Sequence, residues 1–133
     1  MESENNAVEK QMNSESENEN TIEITVNVLS ATEAHVFSKG FRKGKRSSHF
    51  RKHGNDYQGI TEHEYEAIAL ELIQSKVGDD IYGYITETGI VRYDARTRDF
   101  VSGHPNDGVF TMMKLRNGME RFEYLKSRDE KLN

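Results

Sequence analysis

The chain of 133 residues contains no cysteine and a single proline. Without cysteine it can form neither a disulfide framework nor a thiolate metal site. No apolar run approaches the roughly 18 residues of a membrane-spanning helix, and the N-terminus lacks the basic and apolar regions of a secretory signal. Apolar residues make up 34% of the chain and charged residues 31%. We therefore expect one domain, with part of the chain lying outside its core.

The acidic charge of the chain is concentrated at its N-terminus. Residues 1–20 contain six glutamates and one lysine, which equals the net charge of −5 of the whole chain. This segment has too few apolar residues to offset the entropy of ordering it, so we predict a disordered acidic tail over 1–20 and a domain over 21–133. The tail has two interpretations: it keeps the protein in solution, or it imitates an acidic ligand and shields a basic segment of the domain.

The patterning of the domain predicts an α+β fold. Alternating β-branched residues predict a strand over 21–28. A capping box at Thr61 and Glu64 begins a helix predicted over 62–77. Shorter helices are expected over 33–39, over 47–53 with a serine cap and a stop at Gly54, and after residue 118. Four segments separated by turns predict an antiparallel meander on which the N-terminal helices pack; these lie at 81–86, 90–94, 99–102 and 109–115.

The segment 41–54 combines positive charge with a pair of histidines. It contains no acidic residue and six of the eighteen lysines and arginines of the chain. Cations bind phosphate groups, so this segment is the predicted RNA-binding surface, although a run of charges can also simply face water. The aromatic side chains that interleave with the cations could stack on unpaired bases, but we expect at least one of them to pack in the core. The six basic residues are Arg42, Lys43, Lys45, Arg46, Arg51 and Lys52.

His49 and His53 lie four residues apart, so both rings can occupy one face of a helix. Three interpretations remain open from the spacing. The imidazoles could exchange protons during RNA cleavage, one as base and the other as acid. They could bind zinc, although Phe50 stands where the zinc-protease motif has glutamate and no third ligand is close in sequence. They could also be two exposed histidines without a chemical role.

Three further candidates lie on the predicted strands, namely Arg92, Thr111 and Lys114. Thr111 or Lys114 at a cleft could stabilise the negative charge that develops on a phosphate during cleavage. In a strand, Thr111 and Met113 share one face and Met112 and Lys114 share the other. The strand would therefore have to twist or end between Thr111 and Lys114 for both side chains to reach one phosphate.

The order of these segments resembles a known group of nucleases. The chain carries H-F-R-K-H-G at 49–54 and an acidic helix start at 56–66, followed by I-V-R-Y-D-A-R-T-R-D-F-V at 90–101 and V-F-T-M-M-K at 109–114. This series resembles the colicin D-like and contact-dependent-inhibition toxin nucleases, within the barnase/EndoU/colicin/RelE-like ribonucleases. The resemblance covers residues 47 to about 125. Met112 and Met113 replace the aromatic residues of that pattern, and Leu115 replaces its proline.

The resemblance implies a bacterial toxin that cleaves RNA, often tRNA, without metal or cofactor and leaves a 2′,3′-cyclic phosphate. It implies that His49 and His53 are the acid and base, that Thr111 and Lys114 contact the phosphate, and that Arg92 belongs to the catalytic group. It also implies an immunity or antitoxin protein as partner and action in the cytoplasm, away from membranes. The alternative is a non-enzymatic phage or mobile-element protein whose basic loop binds an acidic partner or RNA.

Overall fold

The computed structural model describes residues 28–130, which form three α-helices and one four-stranded sheet. The strands are antiparallel and adjacent in chain order, as a meander requires, so the predicted α+β class is confirmed. No helix in the described residues is long and apolar enough to cross a membrane. The elements are α1 (Arg46–His53), a 3-10 turn (Gly54–Tyr57), α2 (Glu62–Ile73), β1 (Ile81–Ile85), β2 (Ile90–Asp94), β3 (Asp99–His104), β4 (Gly108–Lys114) and α3 (Gly118–Asp129).

Helix α2 begins as its sequence predicts but ends earlier. The Thr61 hydroxyl accepts from the Glu64 amide at 3.1 Å, and the Glu64 carboxylate accepts from the Thr61 amide at 2.7 Å, which completes the capping box. The helix ends at Ile73 rather than near residue 77. Beyond it, the Gln74 side chain accepts from the Phe37 amide, and the Val77 amide donates to the Thr32 carbonyl. Contacts with the N-terminal segment therefore replace the last turn of the predicted helix.

The segment before α1 differs from the prediction. Residues 33–39 form no helix and instead run along the domain, where the Ser38 amide donates to the Pro105 carbonyl. Helix α1 starts at Arg46 without a side-chain cap, and Gly54 does not stop the chain, which continues as a 3-10 turn to Tyr57. The predicted tail, and the predicted strand before Val28, lie outside the described residues.

The sheet is covered on both faces, and its residues alternate accordingly. On one face, Val101 and Met112 pack with Tyr65 and Ile73 of α2. On the other face, residues of β1, β2 and β3 pack against α3. The sequence predicted α3 only as a short helix. This second cluster contains Tyr84, Val91, Tyr93, Phe100, Leu115, Phe122 and Leu125.

Arg92 is completely buried in β2 and binds the N-terminal segment to the sheet. Its guanidinium donates at 2.9 Å to each of the carbonyls of Ser75, Val91 and Glu33. Gly83, its partner on β1, leaves the space that the guanidinium occupies, because a Cβ there would collide with it. Burial lowers the pKa of Arg92 from its ordinary value. The side chain therefore serves the fold, because it joins carbonyls of the N-terminal segment and of the residues after α2 to the sheet.

We expect Arg92→Met to lower the free energy of unfolding by about 2–4 kcal/mol, because it removes a buried charged group that donates hydrogen bonds to three backbone carbonyls. Chemical denaturation measures this loss. Arg96→Met is the matched control: the Arg96 side chain is 73% exposed, and its replacement should change stability by less than about 0.5 kcal/mol. Equal effects of the two substitutions would contradict the structural role of Arg92.

Candidate functional site

The position of α1 is set by the outer edge of β4, the last strand of the sheet. The Val109 amide donates to the Gly40 carbonyl at 2.8 Å, and the Arg42 amide donates to the Val109 carbonyl at 3.2 Å. Glu66 of α2 accepts from the Phe41 amide at 2.9 Å and pairs with Arg46 at 3.1 Å. The chain is thereby held at the strand edge immediately before α1, and the helix that follows lies beside β4.

Four rings stack in a column from the core to the surface. Tyr65 stacks on Phe41, Phe41 on His49, and His49 on His53, with centroid distances of 5.5, 5.8 and 6.1 Å and interplanar angles of 8°, 23° and 13°. The Tyr65 hydroxyl donates to the Met112 carbonyl of β4. The column continues the apolar core into α1 and places both imidazoles, as the four-residue spacing predicts, on one face of the helix.

His49 is in contact with Thr111, so the structure brings these two candidates together. The Nδ1 atom of His49 lies 3.3 Å from the Thr111 hydroxyl oxygen. Either atom can be the donor, depending on the tautomer of the ring. Because Nδ1 is engaged by the threonine, Nε2 is the ring nitrogen that remains to exchange a proton with a ligand.

His53 borders a cleft of about 400 Å³ between α1, the end of β4 and the start of α3. Its ring nitrogens make no hydrogen bond to any residue in 28–130. Lys52 and Lys114 border the same cleft, together with Arg116 and Arg121. Asp56 lines the cleft as well and lies 3.7 Å from Arg116. With four cations and one carboxylate along its walls, the cleft is suited to an anion.

Lys114 lines the cleft, but its ammonium group is already paired. Its Nζ atom lies 3.1 Å from the carboxylate of buried Asp99 and donates to the Thr97 carbonyl at 2.9 Å. Asp99 also accepts from the Tyr57 hydroxyl at 2.6 Å and from the Thr97 hydroxyl at 2.8 Å. Burial, followed by the bond to Asp99, raises the pKa of Tyr57 above its ordinary range. This network holds the turn after α1 against the sheet.

The pKa values of both histidines are lowered from their ordinary value of 6.5. Burial is the largest cause in each case. The positive charges of His53, Lys52, Lys45 and Arg42 lower the pKa of His49 further. For His53, Lys52 lowers the pKa while the negative charge of Asp56 raises it. Both rings are therefore mostly neutral at neutral pH, and a bound anion would favour their protonated forms.

The six basic residues of the predicted RNA-binding surface divide into two groups. Arg46 pairs with Glu62 and Glu66 and joins α1 to α2, and the Arg42 guanidinium lies 4.5 Å from the centre of the Phe110 ring. The remaining four are exposed, and none forms an ion pair with another residue of 28–130. These four are Lys43, Lys45, Arg51 and Lys52.

Most of the predicted catalytic residues therefore lie close together, and Arg92 lies elsewhere. His49, His53, Thr111 and Lys114 lie around α1 and β4, whereas the contacts of Arg92 are with the end of α2 and the N-terminal segment. Arg116 and Arg121 were not among the sequence candidates. Both residues carry positive charge and follow the predicted last strand closely, which the sequence shows. The predicted turn and short helix did not indicate that their side chains would point toward α1.

No group of three or more histidine, aspartate or glutamate side chains in residues 28–130 is arranged to hold a metal ion. Comparison with known protein families and with curated proteins found no match to this chain. The chemistry of the site is therefore inferred from its own residues.

We expect the histidine pair to make stability depend on pH. Their folded-state pKa values are lowered, so below pH about 6.5 the unfolded chain binds more protons and acidification favours unfolding. Between pH about 7.5 and about 5, the wild type should lose more stability than His49→Gln/His53→Gln, measured by denaturant unfolding at each pH. Equal losses in the two proteins would contradict the lowered pKa values.

Proposed function

We propose that this domain is a metal-independent endoribonuclease that cleaves an RNA phosphodiester by acid–base catalysis. The observation that carries the proposal is the stacked pair of imidazoles, one of them held by Thr111, beside a cleft bordered by four cations. Imidazoles exchange protons near neutral pH and cations hold phosphate. The resemblance to toxin nucleases supports tRNA as substrate, an immunity or antitoxin protein as partner, and action in the cytoplasm.

The electrostatic surroundings of the two rings assign their roles. Every charged neighbour that affects His49 lowers its pKa, so this ring is the one kept in the neutral form that a base requires. The pKa of His53 is lowered as well, but the carboxylate of Asp56 opposes that shift. We therefore assign His53 as the acid that is protonated when the anionic phosphate binds and that donates a proton to the leaving 5′-oxygen. The 2′-oxygen attacks phosphorus, the P–O5′ bond breaks, and the products are a 2′,3′-cyclic phosphate and a 5′-hydroxyl.

The residues around the pair supply orientation and charge. Thr111 orients the imidazole of His49 through Nδ1, which leaves Nε2 for the substrate. Lys52, Arg116 and Arg121 face the cleft with charges that can act on the phosphate oxygens. Lys114 contributes less positive charge than its type suggests, because Asp99 is paired with it. Its role is to hold the wall of the cleft near His53.

We expect His49→Ala and His53→Ala each to reduce the rate of RNA cleavage by about 10²–10⁴-fold, because each removes one proton-transfer group. The assay is the digestion of purified tRNA in the presence of a chelator, with the 2′,3′-cyclic end identified on the product. His63→Ala is the control, since His63 is exposed and its ring contacts Arg46. Circular dichroism verifies that each variant is folded. Wild-type cleavage by both single variants would refute the assignment.

A binding function without catalysis is the second candidate. The four exposed cations Lys43, Lys45, Arg51 and Lys52 favour it, because none of them forms an ion pair with a residue of 28–130 and exposed positive charge attracts an acidic partner or RNA. Such a protein would bind tRNA and leave it intact. Cleavage in chelator therefore distinguishes the two functions directly.

We expect Lys43→Ala and Lys52→Ala each to weaken RNA binding and to reduce the slope of log K against log salt by about 0.7, the contribution of one phosphate contact to a single strand. Fluorescence anisotropy with labelled RNA over a series of salt concentrations measures the slope. Lys76→Ala is the matched control, because Lys76 is an exposed lysine that follows α2. If Lys76→Ala changes the slope as much as the other two, the basic segment is not the binding surface.

A further inference from the structure

A second and larger cavity opens on the face of the sheet that α3 covers. It has a volume of about 780 Å³ and lies between the end of α3, the turn joining β1 and β2, and strands β3 and β4. Its size falls in the range of roughly 300–1,000 Å³ that is typical of small-molecule sites. No residue placed in it was part of the predicted site, apart from Thr111.

Strand β4 connects this cavity to the histidines. Thr111 lines the cavity, and its hydroxyl is the group that contacts His49. Met113, two residues further along the same face of the strand, lines both this cavity and the cleft beside His53. A ligand group in the cavity would therefore lie next to a group held between the imidazoles and the cationic cleft.

The lining of the cavity suits a flat, mostly apolar group with a polar edge. Phe100, Phe110 and Met113 supply apolar and aromatic surface, and Ser102 and Thr88 supply hydroxyl groups. Nucleobases have this character, because they stack on aromatic rings through their faces and form hydrogen bonds through their edges.

The carboxylates that line the cavity are largely paired. Glu87, Asp129 and Glu130 line it together with Arg128; Asp129 is paired with Arg128 at 2.7 Å, and Oε1 of Glu130 is paired with Lys126 at 3.0 Å. The cavity therefore offers a phosphate less positive charge than the cationic cleft does. Oε2 of Glu130 accepts no hydrogen bond from a residue of 28–130 and can accept one from the exocyclic amine of a base, so the lining favours a base that carries an amine.

We propose that the cavity binds an unpaired, amine-bearing nucleobase adjacent to the phosphate that is cleaved. This inference rests on the proposed ribonuclease function and adds its substrate class: single-stranded RNA, or a loop, in which a base such as cytosine is free to leave the stack. A base in a duplex has its edge occupied by its partner and its faces by its neighbours, so it cannot enter.

The two probes are cytidine 3′-monophosphate and uridine 3′-monophosphate, which differ at the base by an amine in place of a carbonyl. Binding is followed by amide NMR shifts of the wild-type protein, with inorganic phosphate as the probe that lacks a base. Two variants obstruct the cavity in different ways: Ser102→Leu fills it from the strand, and Thr88→Trp narrows it from an exposed turn. Asn106→Trp is the matched control, because Asn106 lies in another exposed turn and does not line the cavity.

We expect both nucleotides to shift the resonances of His49 and His53, and the cytidine nucleotide also to shift those of Ser102 and Thr88. It should bind about tenfold more tightly than the uridine nucleotide. Ser102→Leu and Thr88→Trp should abolish this preference, and Asn106→Trp should retain it. If either obstructing variant is unfolded, which its amide spectrum reveals, the other still provides the test.

Two results would overturn the inference: cavity resonances that do not move with either nucleotide, or uridine binding as tightly as cytidine. The first result together with intact RNA cleavage would remove the base site and leave the ribonuclease proposal standing. Cytidine-dependent shifts in the cavity without any cleavage of RNA would do the reverse, because the base site would be supported and the catalytic proposal would fail.

Discussion

The pairing of the outer edge of β4 is the constraint on which the site depends. A strand at the end of a sheet presents unpaired amides and carbonyls, which natural proteins cover or otherwise protect. Here Gly40 and Arg42 pair with Val109, and the Tyr65 hydroxyl takes up the carbonyl of Met112. The chain runs from this edge directly into α1. The same pairing that covers the edge therefore also places the histidines beside Thr111.

Burial divides the charged residues of the domain into those that hold the fold and those that face the solvent. Arg92 and Asp99 are buried, and their polar atoms are taken up by backbone carbonyls or by neighbouring side chains. Lys43 and Lys52 are exposed and make no ion pair with a residue of 28–130. Removing a partner of a charge of the first kind lowers the stability of the fold, whereas a charge of the second kind can interact with a ligand without loss of a contact within 28–130. Sequence alone does not separate them, since an arginine on a strand looks the same in either role.

The sequence was most informative where the determining contacts are local. The capping box of α2, the alternation of the strands and the stacking of His49 on His53 all depend on residues within four positions of one another. The features that the sequence predicted wrongly depend on contacts between residues far apart in the chain. Residues 33–39 form no helix, and Phe37 and Ser38 instead bond to residues 37 and 67 positions away. The partner of Arg92 at Glu33 lies 59 positions away, and no periodicity encodes such a pairing.

The distribution of candidate residues along β4 has the same explanation. Alternation correctly placed Thr111 and Met113 on the face away from Met112 and Lys114. It could not show that α1 lies beside the strand, where both faces are within reach: Thr111 contacts His49, and Lys114 borders the cleft of His53. The two residues need not share a phosphate oxygen, so the twist that a shared contact would require is unnecessary.

The stacking of the two imidazoles also limits the number of protons that they hold. Their ring centres are 6.1 Å apart, and the charge of His53 is the largest electrostatic cause that lowers the pKa of His49. Protonation of one ring therefore opposes protonation of the other. Without a ligand both rings are mostly neutral at neutral pH, so in the proposed reaction the anionic phosphate must favour protonation of one ring, which leaves one acid and one base. The acid then loses its proton to the 5′-oxygen and the base gains the proton of the 2′-hydroxyl, so water must restore both rings before the next cycle.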